Sequence, residues 1–307
     1  MVTYIIRRVL QMIPVVLGTT FIIFTMVFLL PGDPTDGRCG QRECPPAYIA
    51  QFRAEYNLDQ PWFVRYVLYL GKLLRGDLGT NFYGNKVTDE LALRYPTTLK
   101  LAVIALIVVT VFGILAGVLA GVFKRTFIDH TITLGTLLLI SIPVFVIGGI
   151  AQMVFGLKLG WFPVTATQGT WYQLIMPGFV LASLEVAFVA RLTRTSIVEN
   201  LRSDYVRTAK AKGLGNGRTI AVHTLRNSLI PVVTYLGALF GGLMGGAIVT
   251  ERIFNINGIG SFMFRSINQR DGSSVVGTVM CLVLVYLLMS LIVDLLYGVL
   301  DPRISND

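Results

Sequence analysis

The feature that most limits what this chain can fold into is a repeated one: long apolar runs, nearly free of charge, separated by shorter polar segments. A run of roughly 18 to 20 apolar residues crosses about 30 Å of hydrocarbon as a helix. Charged residues make up 14% of the 307 positions and hydrophobic ones 54%, whereas soluble proteins carry about a quarter charged residues. The expected class is therefore an all-α polytopic membrane protein.

Six spans are expected: Val9–Leu30, Leu99–Phe123, Thr131–Leu157, Gln173–Ala190, Leu229–Val249 and Val275–Val299. The first run is too long for the apolar core of a cleaved signal peptide, and no small-x-small site follows it. Trp62–Leu74 is aromatic and leucine-rich but short, and it holds Arg65 and Lys72, which suits an interfacial or re-entrant helix. The expected organisation is a first span within residues 1–30, an extracytoplasmic loop region over 31–98, a five-helix core over 99–299 with a cytoplasmic loop at 191–228, and a tail at 300–307.

Orientation follows from the basic residues. Placing both termini in the cytoplasm puts Arg7, Arg8, Lys124, Arg125, Arg303 and the cations from Arg191 to Arg226 inside. The short outer connections then hold only Lys158, Arg252, Arg265 and Arg270, as the positive-inside bias requires. The net charge of +9 is thereby explained by orientation and anionic lipid; no nucleic-acid motif accompanies it.

Gly113, Gly117 and Gly121 recur every fourth residue in the second span, as do Gly237, Gly241 and Gly245 in the fifth. Small residues at this interval let helices approach closely in lipid. Packing within the chain is the plainer use; the sharper one is that the fifth span faces a second membrane subunit or a moving gate. Pro14, Pro143 and Pro177 can bend their helices. Cys39 and Cys44 share a polar outer loop, where a local disulfide and two free thiols are equally compatible with the sequence. Cys281 reads as a small residue buried in a span, and the cysteines form no metal-ligand pattern.

The largest cytoplasmic loop carries a short basic helix. Ser203 or Asp204 can cap its start, with an acid suited to the positive dipole end. Lys210 and Lys212 fall in its last turn, and Gly213 can stop it in a left-handed conformation. At about 13 Å it is too short to stand without something to pack on. A second helix from Asn216 would place Ala221, Leu225 and Leu229 on one stripe.

The segment Asp204-Tyr205-Val206-Arg207-Thr208-Ala209-Lys210-Ala211-Lys212-Gly213-Leu214, followed by His223-Thr224-Leu225-Arg226 and ending at Pro231, resembles the cytoplasmic signature of ATP-binding-cassette importer permeases. Ala209, Gly213 and Leu225 keep their places in that signature. Arg207 and Thr208 replace its Glu and first Ala, His223 its hydrophobic residue, and Arg226 its Pro. These departures resemble the dipeptide/oligopeptide/nickel branch, its B-type subunit in particular. Leu30-Pro31-Gly32-Asp33-Pro34, Gly76-Asp77-Leu78-Gly79, Tyr95-Pro96-Thr97-Thr98-Leu99, Gly258-Ile259-Gly260, Asp294-Leu295-Leu296-Tyr297 and Asp301-Pro302-Arg303-Ile304 follow in that family's order.

The resemblance implies a type I importer permease fold in a bacterial inner membrane. It also implies a second homologous permease subunit, two cytoplasmic ATPase subunits or domains, an extracytoplasmic peptide-binding protein and surrounding lipid. ATP and Mg would sit on the ATPases, with no cofactor on this chain. Asp204, Arg207, Thr208, Ala209, Lys210, Lys212, Gly213 and Leu214 would form the joint with an ATPase: the cations would meet its surface, while Ala209 and Gly213 would permit close approach and the turn. ATPase closure would then shift the spans between outward and inward access.

Three further residues are candidates for the transport path or a gate. Glu185 is a carboxylate within a span, which marks function by default; its nearness to Arg191, about 9 Å along the helix, also allows a structural contact. Glu251 and Arg252, at the outer end of the fifth span, suit an outer gate or a binding-protein contact. No catalytic residues are expected. No phosphate-loop sequence is present, and His130 and His223 have no acid partner at motif spacing. A proton-coupled carrier with paired repeats and a non-transporting membrane anchor are the competing classes.

Overall fold

The computed structural model describes residues 2–28, 45–55, 57, 59–244 and 247–300. Cys39, Cys44, the Leu30–Pro34 motif, Gly245 and the 301–304 motif lie outside the described residues, as does the side chain of Asp294. The described chain is helical: α1 Val2–Phe28, α2 Pro46–Glu55, α3 Trp62–Leu74, α4 Val87–Val122, α5 Phe127–Ser141, α6 Val144–Lys158 and α7 Trp171–Asn200 come first. There follow α8 Asp204–Ala211, α9 Asn216–Ser228, α10 Ile230–Met244, α11 Ile248–Ile253, α12 Ile259–Asn268 and α13 Gly272–Leu300.

Three continuous helices, α4, α7 and α13, are long and apolar enough to cross a membrane. Two further pairs pass that test only together, and α1 contributes a shorter apolar stretch, Leu10–Met26. The third expected span is not one helix. Helices α5 and α6 meet at 101°, because Pro143 has no N–H to continue the ladder and forces Ile142 into an extended conformation (φ −97°, ψ 124°). Pro14 and Pro177, by contrast, lie inside continuous helices.

Helix ends also differ from the apolar runs. Helix α4 starts at Val87, well before Leu99. Its added turns carry Asp89 and Glu90 at the positive dipole end and bury Val87 and Leu91 against Ile259 and Phe262. Helix α7 continues past Ala190 to Asn200, so the connection that follows it is shorter than its charges suggest. Helix α10 meets α9 at 46°, at the start of the expected fifth span, and α11 is a separate short helix that takes over at its far end.

Helix α7 is the centre of the bundle. Lipid tails are as apolar as leucine, so helices gain by close contact rather than by escape from solvent. The glycines of α4 provide that contact: a Cβ at Gly117 would lie 2.4 Å from Thr193 Cβ and 2.6 Å from the Ala190 carbonyl. Gly113 meets Val189 and Gly121 meets Ile197 in the same way, so the second-span stripe is spent on packing within the chain. In the fifth span Gly241 meets Tyr286 and Met289, while Gly242 faces open space. Ala102, Ala105, Val109, Ala182, Val189 and Val232 close the core between α4, α7 and α10.

Helix α3 covers the outer half of α1. Trp62 and Tyr66 meet Phe21 edge-on at 5.1 and 5.5 Å. The Tyr66 hydroxyl lies 2.8 Å from Thr20 Oγ1 and donates to the Leu17 carbonyl at 3.0 Å. Its other face exposes Phe63, Val64 and Val67, as an interfacial helix does.

Candidate functional site

The short basic helix α8 forms where the sequence places it. Ser203 takes the N-cap backbone conformation, but its hydroxyl donates back to the Asn200 carbonyl and caps nothing. Asp204 alone supplies the favourable charge at this end. The other end closes as a Schellman turn: the Leu214 N–H donates to Ala209 O at 3.2 Å and the Gly213 N–H to Lys210 O at 2.9 Å. Gly213 sits at φ +83°, a region that side chains with a Cβ enter at a cost.

Helix α8 divides its faces cleanly. Val206 and Ala209 are buried, and the helix contacts the Thr219–Thr224 stretch of α9. Asp204, Arg207, Thr208, Lys210, Lys212 and Gly213 are exposed, and Leu214 is half-buried. Asp204 and Arg207 pair at 3.6 Å, a surface contact of little energetic consequence. Ala209 therefore packs into this chain's own interior, and Gly213 meets nothing within 4 Å, so its role within the chain is the turn.

Helix α9 turns a different face inward from the one its apolar residues suggest. Residues Thr219–Thr224 adopt π-helical bonding, which shifts the register of the side chains that follow. Thr219, Thr224 and Ser228 are fully buried, while Ala221 is exposed and Leu225 half-buried. The Ser228 hydroxyl donates to the Ser196 carbonyl at 3.2 Å, and Asn200 Nδ2 donates to the same carbonyl at 2.9 Å. Helix α9 is thus anchored to the C-terminal end of α7, and α8 is tied to the same end by the Tyr205 hydroxyl, which donates to Asn200 Oδ1 at 2.5 Å.

A second anchor at this end has no sequence signal. Asp129, in the first turn of α5, accepts two bonds from Arg194 of α7, from Nε at 2.6 Å and Nη2 at 2.7 Å. The Arg125 N–H adds a third at 2.9 Å. Sixty-five residues separate the partners, so no local spacing joins them.

At the outer end Glu251 sits in a closed pocket with 0% exposure. Its carboxylate accepts from Thr98 Oγ1 at 2.7 Å and from the Ser261 N–H at 2.8 Å, with the Gly260 N–H as a further donor. Thr98 in turn accepts from the Ile259 N–H at 2.9 Å. A Cβ at Gly258 would stand 2.4 Å from the Glu251 carboxylate, so that position must be glycine. Burial pushes the Glu251 carboxyl up to about 6, against the pull of these donors; at neutral pH it remains an anion held at the N-terminus of α12. Two motifs far apart in sequence, Tyr95–Leu99 and Gly258–Gly260, thus meet on this one side chain.

Arg252 faces the other way, exposed, with its guanidinium 4.6 Å from the centre of the Phe264 ring. Glu185 is half-buried and accepts from the Tyr235 hydroxyl at 2.6 Å, tying α7 to α10. Tyr235 stacks on Phe188 at 4.6 Å. Cys281 is a free thiol in α13. Among the described residues, no three His, Cys, Asp or Glu side chains gather to hold a metal.

Known proteins match the sequence over nearly its whole length. Residues 113–306 match the family described as binding-protein-dependent transport system inner membrane component, and residues 1–102 match the N-terminal region of the same systems' membrane components. The chain is 36% identical over 333 residues to the dipeptide transport system permease protein DppB of Alkalihalophilus pseudofirmus, covering 99% of this chain and 100% of that protein. It is 36% identical to the di/tripeptide transport system permease protein DppB of Pseudomonas aeruginosa, covering 100% and 99%. Against the glutathione transport system permease protein GsiC of Pectobacterium atrosepticum the identity is 37%, covering 99% of each. The chain belongs to the family of binding-protein-dependent transport system inner membrane components, as a multi-pass helical permease of the peptide and glutathione importer group.

Proposed function

We propose that this chain forms half of the translocation pathway of an ATP-driven importer for dipeptides or short oligopeptides. In this reading six spans, with both termini in the cytoplasm, pair with a second homologous permease. Two ATPases dock from the cytoplasm and carry ATP and Mg, and an extracytoplasmic binding protein delivers the peptide. Helix α8 is the joint: Arg207, Lys210 and Lys212 meet the ATPase surface, and Gly213 fixes the turn. The observation that carries this reading is the division of α8, with Val206 and Ala209 locked into the chain and the cations left outward.

Force applied to α8 has a short route into the bundle. The Tyr205 hydroxyl of α8 donates to Asn200 Oδ1 of α7, Ser228 of α9 donates to the Ser196 carbonyl of α7, and Arg194 continues the link to Asp129 of α5. ATPase closure then moves these helices as one body, the rigid-body mode by which packed interfaces switch. Glu251 and Thr98 hold the outer end together and act as an outer gate or its hinge. Glu185 takes a structural role, bonded to Tyr235.

The test is uptake of a labelled dipeptide into vesicles holding the assembled complex. Accumulation that requires internal ATP and the binding protein is the expected result. Uptake that ignores ATP depletion but collapses with the proton gradient would favour a self-sufficient carrier. No accumulation of any peptide or of glutathione, with all partners present, would point to an anchor.

A further inference from the structure

The motif Gly76-Asp77-Leu78-Gly79 takes no part in the joint at α8 or in the pocket of Glu251; it shapes a cavity of its own. Helix α3 ends there in a Schellman turn, with the Asp77 N–H donating to Lys72 O at 3.0 Å and the Gly76 N–H to Leu73 O at 2.9 Å. Gly76 and Gly79 stand at φ +75° and +84°, the left-handed region, and turn the chain back on itself. The Val87 N–H then donates to Gly79 O at 3.0 Å, which sets Lys86 beside the motif. Leu78 rests on α13, where a Cβ at Gly277 would lie 3.1 Å from Leu78 Cβ.

The cavity measures about 490 Å³ and lies between α1, α3, this turn and the first turns of α4 and α13. Its wall holds four cations, Arg65, Lys72, Arg75 and Lys86, and one carboxylate, Asp77. Asp77 accepts from the Gly79 N–H at 2.9 Å and so serves the turn. The negative end of the α3 dipole explains a cation at Lys72, in its last turn. It does not explain Arg65, well before that turn. Lys86 stands at the N-cap of α4, where the dipole disfavours a cation.

Cations gathered in a concave site bind phosphate and carboxylate groups through charge-assisted hydrogen bonds. The rest of the wall narrows that choice. Arg65, Leu68, Lys72 and Arg75 recur on one face of α3 at helical spacing. Leu68 is 43% exposed, and Val64, one turn before it, is 39% exposed. The cationic wall therefore passes directly into the apolar surface of an interfacial helix, which suits an acyl chain and offers nothing to a small soluble anion. Among the described residues, none from α7 or α10 lines the cavity, so it lies away from the core between those helices.

The geometry points to this cavity as a binding site for an anionic phospholipid, with its phosphate among Arg65, Lys72, Arg75 and Lys86 and its acyl chains along Leu68 and Val64. In the orientation proposed above, that lipid belongs to the outer leaflet. The inference needs the membrane class and not the importer reading.

The test uses the assembled complex, stripped of lipid in neutral detergent and then given phosphatidylglycerol, phosphatidylcholine or inorganic phosphate. Bound lipid is counted by native mass spectrometry, and the unfolding temperature is followed alongside. The wild type is expected to hold one more phosphatidylglycerol than a variant carrying Arg75→Gln and Lys86→Gln, both at exposed positions. At this site the variant should bind about tenfold or more weakly, and the wild-type affinity should fall with salt. Lys158→Gln, which removes an exposed cation outside the cavity, should keep the wild-type count. If the double variant fails to assemble, Lys86→Gln alone carries the same test. Equal phosphatidylglycerol counts and affinities in wild type and variant would overturn the site, as would phosphatidylcholine held as tightly as phosphatidylglycerol. Inorganic phosphate that raises the wild-type unfolding temperature as far as phosphatidylglycerol does would make the ligand a soluble anion and overturn the lipid.

Discussion

Thr98 and Glu251 stand 153 residues apart in the chain and share a 2.7 Å hydrogen bond in a pocket closed to solvent. Thr98 is bonded on both sides, giving its proton to Glu251 and taking one from Ile259. It thereby pins the outer half of α4 to the start of α12. Replacing it with valine leaves a buried carboxylate short of one donor and an N–H without an acceptor. The expected loss is about 2–3 kcal/mol, read as a lower unfolding temperature in detergent, with Thr98→Ser close to wild type. Equal temperatures for Thr98→Val and wild type would contradict the role given to this hydroxyl.

Glu251 also predicts a pH dependence. Its carboxyl is raised from an ordinary 4.5 to about 6 in the folded chain, so the folded state holds this proton more firmly than the unfolded one. Its contribution to stability is complete below about pH 4.5 and is lost as pH rises through about 6. Glu251→Gln should remove that limb from a plot of unfolding temperature against pH. An unchanged limb in the Gln variant would assign it to another group.

At Gly117 the second and fourth expected spans touch backbone to side chain. A methyl there would overlap Thr193 and the Ala190 carbonyl, and the helices must separate to admit it. Gly117→Ala is expected to destabilise by about 1–3 kcal/mol, the range for overpacking, and Gly117→Val by more. Gly242→Ala, where the space is open, serves as the control and should leave the unfolding temperature near wild type.

The Asp129–Arg194 pair joins α5 to α7 beside the anchor of α8 and α9. Asp129→Ala strands a guanidinium that is only 31% exposed, and about 2 kcal/mol of stability should go with it, less than a fully buried pair would lose. In vesicles the same variant should hydrolyse ATP while transporting less peptide per ATP. An unchanged ratio would remove this pair from the proposed route of force.

Membrane class, helical fold and the existence of α8 were legible because each depends on local chemistry. Apolar length sets the spans, Asp204 and Gly213 bound the short helix, and both ends need only neighbouring residues. The break at Pro143 was legible as a proline but not as a 101° turn, since Pro14 and Pro177 sit in continuous helices. The inward face of α9 was not legible, because a 3.6-residue period does not hold across Thr219–Thr224, where the bonding is π-type. Glu251 drew attention as a charge near a span end, yet its partner Thr98 could not be found without the fold. Asp129 and Arg194 gave no signal for the same reason: contacts across 65 residues leave no pattern in the order of the chain.

The central claim, that α8 passes ATPase motion to the spans, is tested most directly at Gly213. Valine there must adopt φ near +83° or abandon the turn, a strain on the order of 1–2 kcal/mol for a left-handed residue. Gly213→Val, placed in the assembled complex in vesicles, should be followed for ATP hydrolysed and labelled peptide accumulated over the same interval. The account predicts a complex still present in the membrane that hydrolyses ATP with little uptake. Wild-type uptake per ATP in that variant would contradict it.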